Sequence, residues 1–333
     1  MNTFQENEYK ARINRVMDYI QVNLDKKLSL NELAAVANFS PFHFHRVFTS
    51  QTKETLAGFV QRLRIEKAAT MLISNPTKSV TEIALDTGFA NSASFARLFK
   101  SYFSMSATAW RSGGYLEFSK IKQTNSKNCK TDSKIGKDFT LSADYLTDNG
   151  GANRSLSEIN IPDRRNKMFN SKNTKVEIRD TKELTVAYVR HTGLYKNNEE
   201  LFCSLWGKLM SWAGPRGLLS KGDFKMICMY HDVPEITDDK NLRLSVCVSV
   251  PEDTEVSGEV GKMVIPGGRC AVGRFEVGSS EFQSAWDYMY SDWLPQSGFQ
   301  PDDRSSYEIL LNSPHEHPEH KHIVEICIPV KPL

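Results

Sequence analysis

Two arginines and one glutamate carry the residue types that could do chemistry in this chain. Arg46 lies in F-H-R-V-F and Arg97 in F-A-R-L-F, each between phenylalanines two positions away on either side. An arginine can grip guanine through two parallel hydrogen bonds, and an aromatic or methyl-bearing side chain can rest on a thymine methyl. Helical spacing turns Phe42, His45 and Arg46 outward while Phe44, Val47 and Phe48 face a core. The same spacing buries Phe95, Leu98 and Phe99 and leaves Ser92, Ser94, Arg97 and Lys100 on open positions. Taken alone, Arg46 is more simply read as a solvated surface charge. Glu308 is a different case, because it interrupts an apolar strand and shares a face with Leu310. A carboxylate buried there needs a partner to offset several kcal/mol of desolvation. A cationic ligand would be such a partner; a solvated face or a paired arginine is the alternative. Glu325 has the same look, with an edge or solvent-facing position as its simpler explanation. The tract H-E-H-P-E-H-K-H from His315 to His322 crowds imidazoles and carboxylates that could recruit a transition metal, but a polar hairpin loop explains it without one. No G-x-S-x-G, phosphate loop or H-E-x-x-H motif occurs, so no catalytic residue, metal or cofactor is expected.

The elements that must position these residues are legible from their ends. Ser79 and Glu82 stand in the relation of a capping box, which predicts a helix from about Val80. Gly88 lies where the chain must turn, and a second helix is expected over about Ser92 to Tyr102. This is a helix-turn-helix, and it occurs twice. Ser29, Glu32, Ala34, Asn38 and Phe39 precede Ser79, Glu82, Ala84, Gly88 and Phe89 by a constant fifty positions, and one inserted residue later Phe44, Arg46 and Phe48 match Phe95, Arg97 and Phe99. Asn38 stands in for Gly88 because asparagine best tolerates the left-handed conformation after glycine. The first reading helix is expected to begin at Ser40-Pro41. A supporting amphipathic helix over 8 to 25 precedes it, with Ile13, Val16, Met17 and Ile20 inward.

Two such units joined by the helix Gly58 to Ile73, then F-x-R-x-F-K and the pair Trp110-Arg111, resemble the AraC/XylS-type DNA-binding domain over residues 8 to 112. Ser104 and Ala107 stand where that family usually has Gly and Pro before the last helix. The resemblance implies that Phe42, His45, Arg46, Ser92, Ser94 and Arg97 fall on base-contacting positions. Each reading helix would enter a major groove, with successive grooves about 10 base pairs apart on one face of the duplex. It also implies double-stranded promoter DNA as a partner, and activation through RNA polymerase as the usual outcome.

The net charge of +2 over 333 residues conceals a basic first third, in which residues 1 to 112 hold 14 Lys plus Arg against 9 Asp plus Glu. A local surplus of that sign suits a polyanion. No signal-peptide core or bilayer-length apolar run appears, so a cytoplasmic protein without a membrane partner is expected. Six cysteines without C-x-x-C spacing (Cys129, Cys203, Cys228, Cys247, Cys270 and Cys327) read as reduced thiols. Residues 113 to 173 are expected to form a polar flexible linker, broken only by a patch at Phe139 to Leu146 around Tyr145. Flexible-chain scaling puts its ends roughly 40 Å apart and lets the flanking parts reorient.

From Val176 onward the pattern alternates. Strands are expected at Val176 to Ile178, Leu184 to Tyr188, Met226 to Tyr230 and Leu244 to Val250, with a helix from Glu199 to Ala213. A second round follows: strand Arg269 to Val277, helix Phe282 to Trp293, and strands Tyr307 to Asn312 and His322 to Val330. Trp206 and Trp286 lie eighty positions apart, as do Pro234 and Pro314, and Ala187-x-x-Arg190 answers Ala271-x-x-Arg274. Two β-α-β-β halves with W-L-P-Q-S-G-F, D-x-R-x-x-Y-E-I-L-L-N and I-x-I-P-V resemble a GyrI-like (gyrase-inhibitor-like) effector-binding domain over 174 to 333. That resemblance implies a cleft for a small hydrophobic or cationic effector, floored by Glu308 and walled by aromatics, for which Trp206, Trp286 and Tyr188 are the candidates. Leu310 replaces an aromatic residue common in the family. The fold class expected is therefore multidomain, an all-α double helix-turn-helix followed by an α+β domain of two β-α-β-β repeats. The function expected is a ligand-responsive transcription regulator. The alternatives are a GyrI-like hydrolase, or a protein that sequesters drugs or toxins, tethered to a DNA-binding domain.

Overall fold

The capping signals become helix ends in the computed structural model, which describes residues 3–128, 174–196, 198–220 and 224–333. Helix α1 (Thr3–Val22) buries Ile13, Val16, Met17 and Ile20. The first unit is α2 (Leu30–Val36) and α3 (Pro41–Thr52), and the second is α5 (Val80–Asp86) and α6 (Ser92–Phe103), with α4 (Leu56–Ser74) between them. Both capping boxes form, Ser29 with Glu32 and Ser79 with Glu82. Each turn takes a left-handed residue as expected, Asn38 at φ 52° and Gly88 at φ 89°. Gly88 is needed for a second reason: a Cβ there would collide with the Leu24 carbonyl and the Arg64 guanidinium. Ser104 adopts the left-handed conformation at φ 58° without being glycine.

Each unit closes its own phenylalanine core against α4. Phe44 and Phe48 pack with Phe59 and Leu63, while Phe95, Phe99 and Phe103 pack with Ile65, Ala68, Leu72 and Trp110. The chain then runs through α7 (Ala107–Ala109) and a wide turn at Trp110–Gly114 into α8 (Tyr115–Asn128). The start of the expected flexible linker is thus helical. Its Phe118 ring lies 5.3 Å from both Phe103 and Trp110, which gives the helix an apolar seat that its polar composition conceals. Cys129 and the patch around Tyr145 lie outside the described residues.

The C-terminal half is a sheet of β1 (Val176–Thr181), β2 (Leu184–Thr192), β3 (Met226–Tyr230), β4 (Arg243–Ser249), β5 (Gly261–Ile265), β6 (Gly268–Val277), β8 (Tyr307–Leu310) and β9 (His322–Pro332), with the short β7 (Phe299–Pro301) paired to β9. The order β1-β6-β9-β8-β3-β4-β2-β5 reads the same from either end when the halves are exchanged. The duplication seen in the sequence is therefore a pseudo-twofold fold. Its centre is the antiparallel β3–β8 pair, and β1 and β5 each cross to the other half. Helices α9 (Glu199–Ala213) and α10 (Phe282–Asp287) cover one face. Leu205 and Leu209 of α9 pack on Val189, Leu244 and Val246, and Ala285 of α10 packs in a cluster with Ala271, Ile326 and Ile328. The opposite face carries Val186, Tyr188, Ile227, Met229, Cys247 and Tyr307.

The two halves touch directly. Asp18 of α1 forms an ion pair with Arg190 of β2 at 2.7 Å and accepts a hydrogen bond from the Tyr188 hydroxyl. Lys122 of α8 donates to the carbonyls of Pro234 and Thr237. The sequence expectation of separately reorienting parts took no account of these contacts, which join residues far apart in the chain. Cys228, Cys247, Cys270 and Cys327 are buried free thiols and Cys203 is an exposed one.

Candidate functional site

The helix-covered face of the sheet brings its chemistry to the centre of the pseudo-twofold. Period-2 alternation on β8 puts Glu308 on that face, and the register pairs it with Cys228 on one side and Ile326 on the other. It is 2% exposed. One carboxylate oxygen accepts from the Trp286 indole Nε1, and the other accepts from the Tyr230 hydroxyl at 3.0 Å. Four rings gather around it. Tyr230 meets Trp286 edge-on with centroids 5.6 Å apart, Trp286 stacks on Tyr290 at 6.0 Å, and Tyr195 lies 5.7 Å from Tyr230.

Burial pushes the Glu308 carboxyl up to about 7, and the hydrogen bonds from Trp286 and Tyr230 pull it only part of the way back. No lysine or arginine forms an ion pair with it among the described residues. The arrangement is a desolvated acid in an aromatic setting, matched to a group that brings a positive charge and an apolar body. Trp286 and Tyr230 take one acceptor site on each oxygen, so such a group would share the carboxylate with them or displace one of them. Two surface cavities lie elsewhere. One of about 320 Å³ is lined by Tyr288, Asp292, Trp293, Gln296 and Ser297, and one of about 530 Å³ is lined on the opposite face by residues that include Lys182, Tyr307 and Ile309. Neither is lined by Glu308, and it is the buried charge that marks the site.

Of the residues singled out in the sequence, Trp286 reaches Glu308, and Trp206 packs on the α9 side of the same face. Tyr188 does not share the site. It pairs with Cys247, which pairs with Ile227, and that line of residues faces away from Glu308. The Tyr188 ring crosses Gly261 so closely that no Cβ would fit there. Its role is to meet Asp18. Tyr230, Tyr195 and Tyr290 are the aromatics that sequence reasoning missed. Tyr230 was visible as the end of a strand, but only the β3–β8 register places it beside Glu308.

On the N-terminal side, Phe42, His45 and Arg46 on α3 and Ser92 and Arg97 on α6 are exposed, with Ser94 half-buried. The Arg46 guanidinium lies 5.8 Å from the Phe42 ring centre. Ser40 and Asn91 cap the two helices through the amides of His43 and Ser94, which fixes the first turns from which these side chains project. Among the described residues no group of His, Cys, Asp and Glu is placed to hold a metal ion, the His315–His322 tract included. No helix is long and apolar enough to cross a membrane.

Comparison with known proteins follows the same division. Residues 33–113 match the family model of a helix-turn-helix domain, and residues 174–331 match that of the GyrI-like small molecule binding domain. The chain thus joins an AraC-type helix-turn-helix domain to a C-terminal GyrI-like domain. Among curated proteins it is 31% identical over 116 residues to the bifunctional transcriptional activator/DNA repair enzyme AdaA of Bacillus subtilis, a match covering 35% of this chain and 52% of that protein. It is 36% identical over 90 residues to a DNA gyrase inhibitor of Yersinia enterocolitica, covering 26% and 57% respectively. The chain therefore spans about half the length of these relatives. Among solved structures, EcmrR in its DNA complex aligns over 92% of this chain and 86% of that one, with 12% identity and a TM-score of 0.42.

Proposed function

We propose that the protein is a sequence-specific DNA-binding transcription regulator whose α3 and α6 read promoter DNA and whose GyrI-like domain binds a hydrophobic cation at Glu308. The observation that carries it is a pair of equivalently capped helices presenting Arg46 and Arg97 to solvent while the sheet domain packs elsewhere on the helical half. The effector half of the reading rests on Glu308, a buried acid with neutral donors and, among the described residues, no ion-paired cation. Activation through RNA polymerase fits the domain combination as the outcome of DNA binding.

The test starts from a DNA fragment selected out of a random pool by the full chain. Affinity should fall steeply with added salt, as phosphate neutralisation requires. Arg46→Ala and Arg97→Ala should each cost about 1 to 3 kcal/mol on the selected site and little on random DNA. Equal losses on both would show that the arginines touch only phosphate. For the effector, tetraphenylphosphonium should raise the unfolding temperature of the wild type and do much less for Glu308→Gln.

One observation favours a second reading. A carboxyl titrating at about 7 is also poised as a general acid or base, as a hydrolase would use. Turnover of ester or amide probes, lost in Glu308→Gln, would establish that reading in place of simple binding.

A further inference from the structure

The loop between β3 and β4, residues 231 to 242, leaves the Glu308 site and enters the helical half. It begins directly after Tyr230, whose hydroxyl donates to Glu308 and whose amide donates to the Ser306 carbonyl of the strand entry opposite. At its tip Ile236 is 5% exposed and belongs to the same core cluster as Ile65, Ala69, Phe99, Phe103 and Trp110 of the second helix-turn-helix unit. Thr237, 1% exposed, reaches Glu66 of α4 with its side chain and accepts from Lys122 of α8 with its carbonyl. Glu66 in turn accepts from Arg62 and from Tyr102 of α6. The loop returns through Arg243, which forms an ion pair with Asp232 at 2.6 Å and sits 5.9 Å from the ring centre of Phe59, a core residue of the first unit.

One short segment therefore touches the acid's hydrogen-bond partner at its start, the second unit's core at its tip and the first unit's core at its end. Apart from the Thr237 carbonyl, which meets Lys122 of α8, these contacts involve α4 through Phe59, Ile65 and Glu66, and α4 is the helix that sets the spacing of the two reading helices. We propose that the Tyr230–Arg243 segment couples the Glu308 site to the relative placement of α3 and α6, so that an occupant of that site changes DNA affinity through α4. This inference rests on the effector reading above.

Each carboxylate oxygen already accepts one hydrogen bond, so a cation arriving at Glu308 competes for the same charge with Tyr230 and with Trp286, whose ring packs on Tyr230. Where the Tyr230 bond is loosened or exchanged for the cation, the first residue of the segment moves. Buried, close-packed contacts transmit such a shift, and Ile236 and Thr237 are both buried against the helical half. Reciprocity then requires that DNA alter the affinity for the cation by the same factor that the cation alters the affinity for DNA.

The experiment uses the full chain, a selected DNA fragment and tetraphenylphosphonium. Saturating cation should shift the DNA dissociation constant by about 5-fold or more in the wild type, in the range of ordinary allosteric coupling. In Ile236→Ala, and in the milder Thr237→Val should the first prove too unstable, the shift should shrink toward one-fold while cation affinity without DNA is kept. Cation binding that depends on Glu308 yet leaves DNA affinity unchanged overturns the coupling and spares the effector reading. Absence of cation binding overturns the effector reading, and the coupling is then judged from the other side by amide hydrogen exchange. DNA should change protection across 230 to 243 in the wild type, and unchanged protection there overturns it.

Discussion

At the scale of single residues, Glu308 makes the sharpest demand on its surroundings. Its neighbours are an indole N–H and a phenol O–H, which solvate a carboxylate without cancelling its charge. With the folded value raised to about 7 from an ordinary 4.5, the unfolded chain ionises first as pH rises. The sign follows from that order: the folded state binds the extra proton, so its contribution to stability is complete below about 4.5, declines between there and 7, and is lost above. The span corresponds to about 3 kcal/mol. Glu308→Gln should flatten this part of the pH-stability profile and leave the empty protein equally or more stable above pH 7, because glutamine can accept from Trp286 and donate to the Tyr230 oxygen. Urea unfolding at several pH values measures it, and a Gln variant less stable at every pH would make Glu308 a structural acid. The acid itself was legible in the sequence as a charge inside an apolar strand, whereas its partners were not. Alternation fixes which residues of one strand share a face, but only inter-strand register says that Cys228 and Tyr230 stand beside Glu308 and that Tyr188 faces the other way.

At the scale of elements, local rules account for the helices and long-range ones for what was missed. Ser29, Ser40 and Ser79 mark helix starts because capping is decided within four residues, and Gly88 and Asn38 mark turns because φ is a property of one residue. The sequence reading passed over β5 and β7, short strands whose pairing is supplied by β2 and β9 from far along the chain. It also gave the start of α8 to a linker, since Tyr115, Leu116, Phe118 and Ile121 among lysines look weak without the Trp110 and Phe103 rings that receive Phe118. A consequence concerns where the DNA-binding half can be cut. A fragment of residues 1 to 112 uncovers Trp110 and Phe103, whereas one of residues 1 to 128 keeps the Phe118 contact. Phe118 is half-buried, so its loss costs less than the ~3 kcal/mol of a fully buried aromatic, but it also uncovers the Trp110 and Phe103 rings. Residues 1 to 128 should therefore unfold at a clearly higher temperature than residues 1 to 112 and bind the selected DNA at lower protein concentration. Equal unfolding temperatures would mean that α8 does not dock when the sheet domain is absent.

At the scale of the whole molecule, the two halves are held by charge placed where water is excluded. The Arg190 side chain is 1% exposed, donates to Ser245, and finds its carboxylate in Asp18 of the other half. The His231 ring beside it is held neutral, since burial first and the guanidiniums of Arg190 and Arg243 next drive its pKa well down. No other acid pairs with this guanidinium among the described residues, so separating the halves strands a buried positive charge. The ion pair opposes any reorientation of the two halves, and its strength is measurable. Asp18→Ala should destabilise the full chain by about 3 kcal/mol, because removal of one member of a buried pair leaves the other uncompensated. Arg190→Met in the same chain removes that charge with little change in volume, so the double variant should recover most of the loss even though the ion pair is absent. The recovery should persist at high salt, where surface pairs are screened and buried ones are not. Thermal unfolding of the wild type, the single and the double variants gives the comparison. If Asp18→Ala unfolds like the wild type and small-angle scattering shows both equally extended, the halves are not docked in solution.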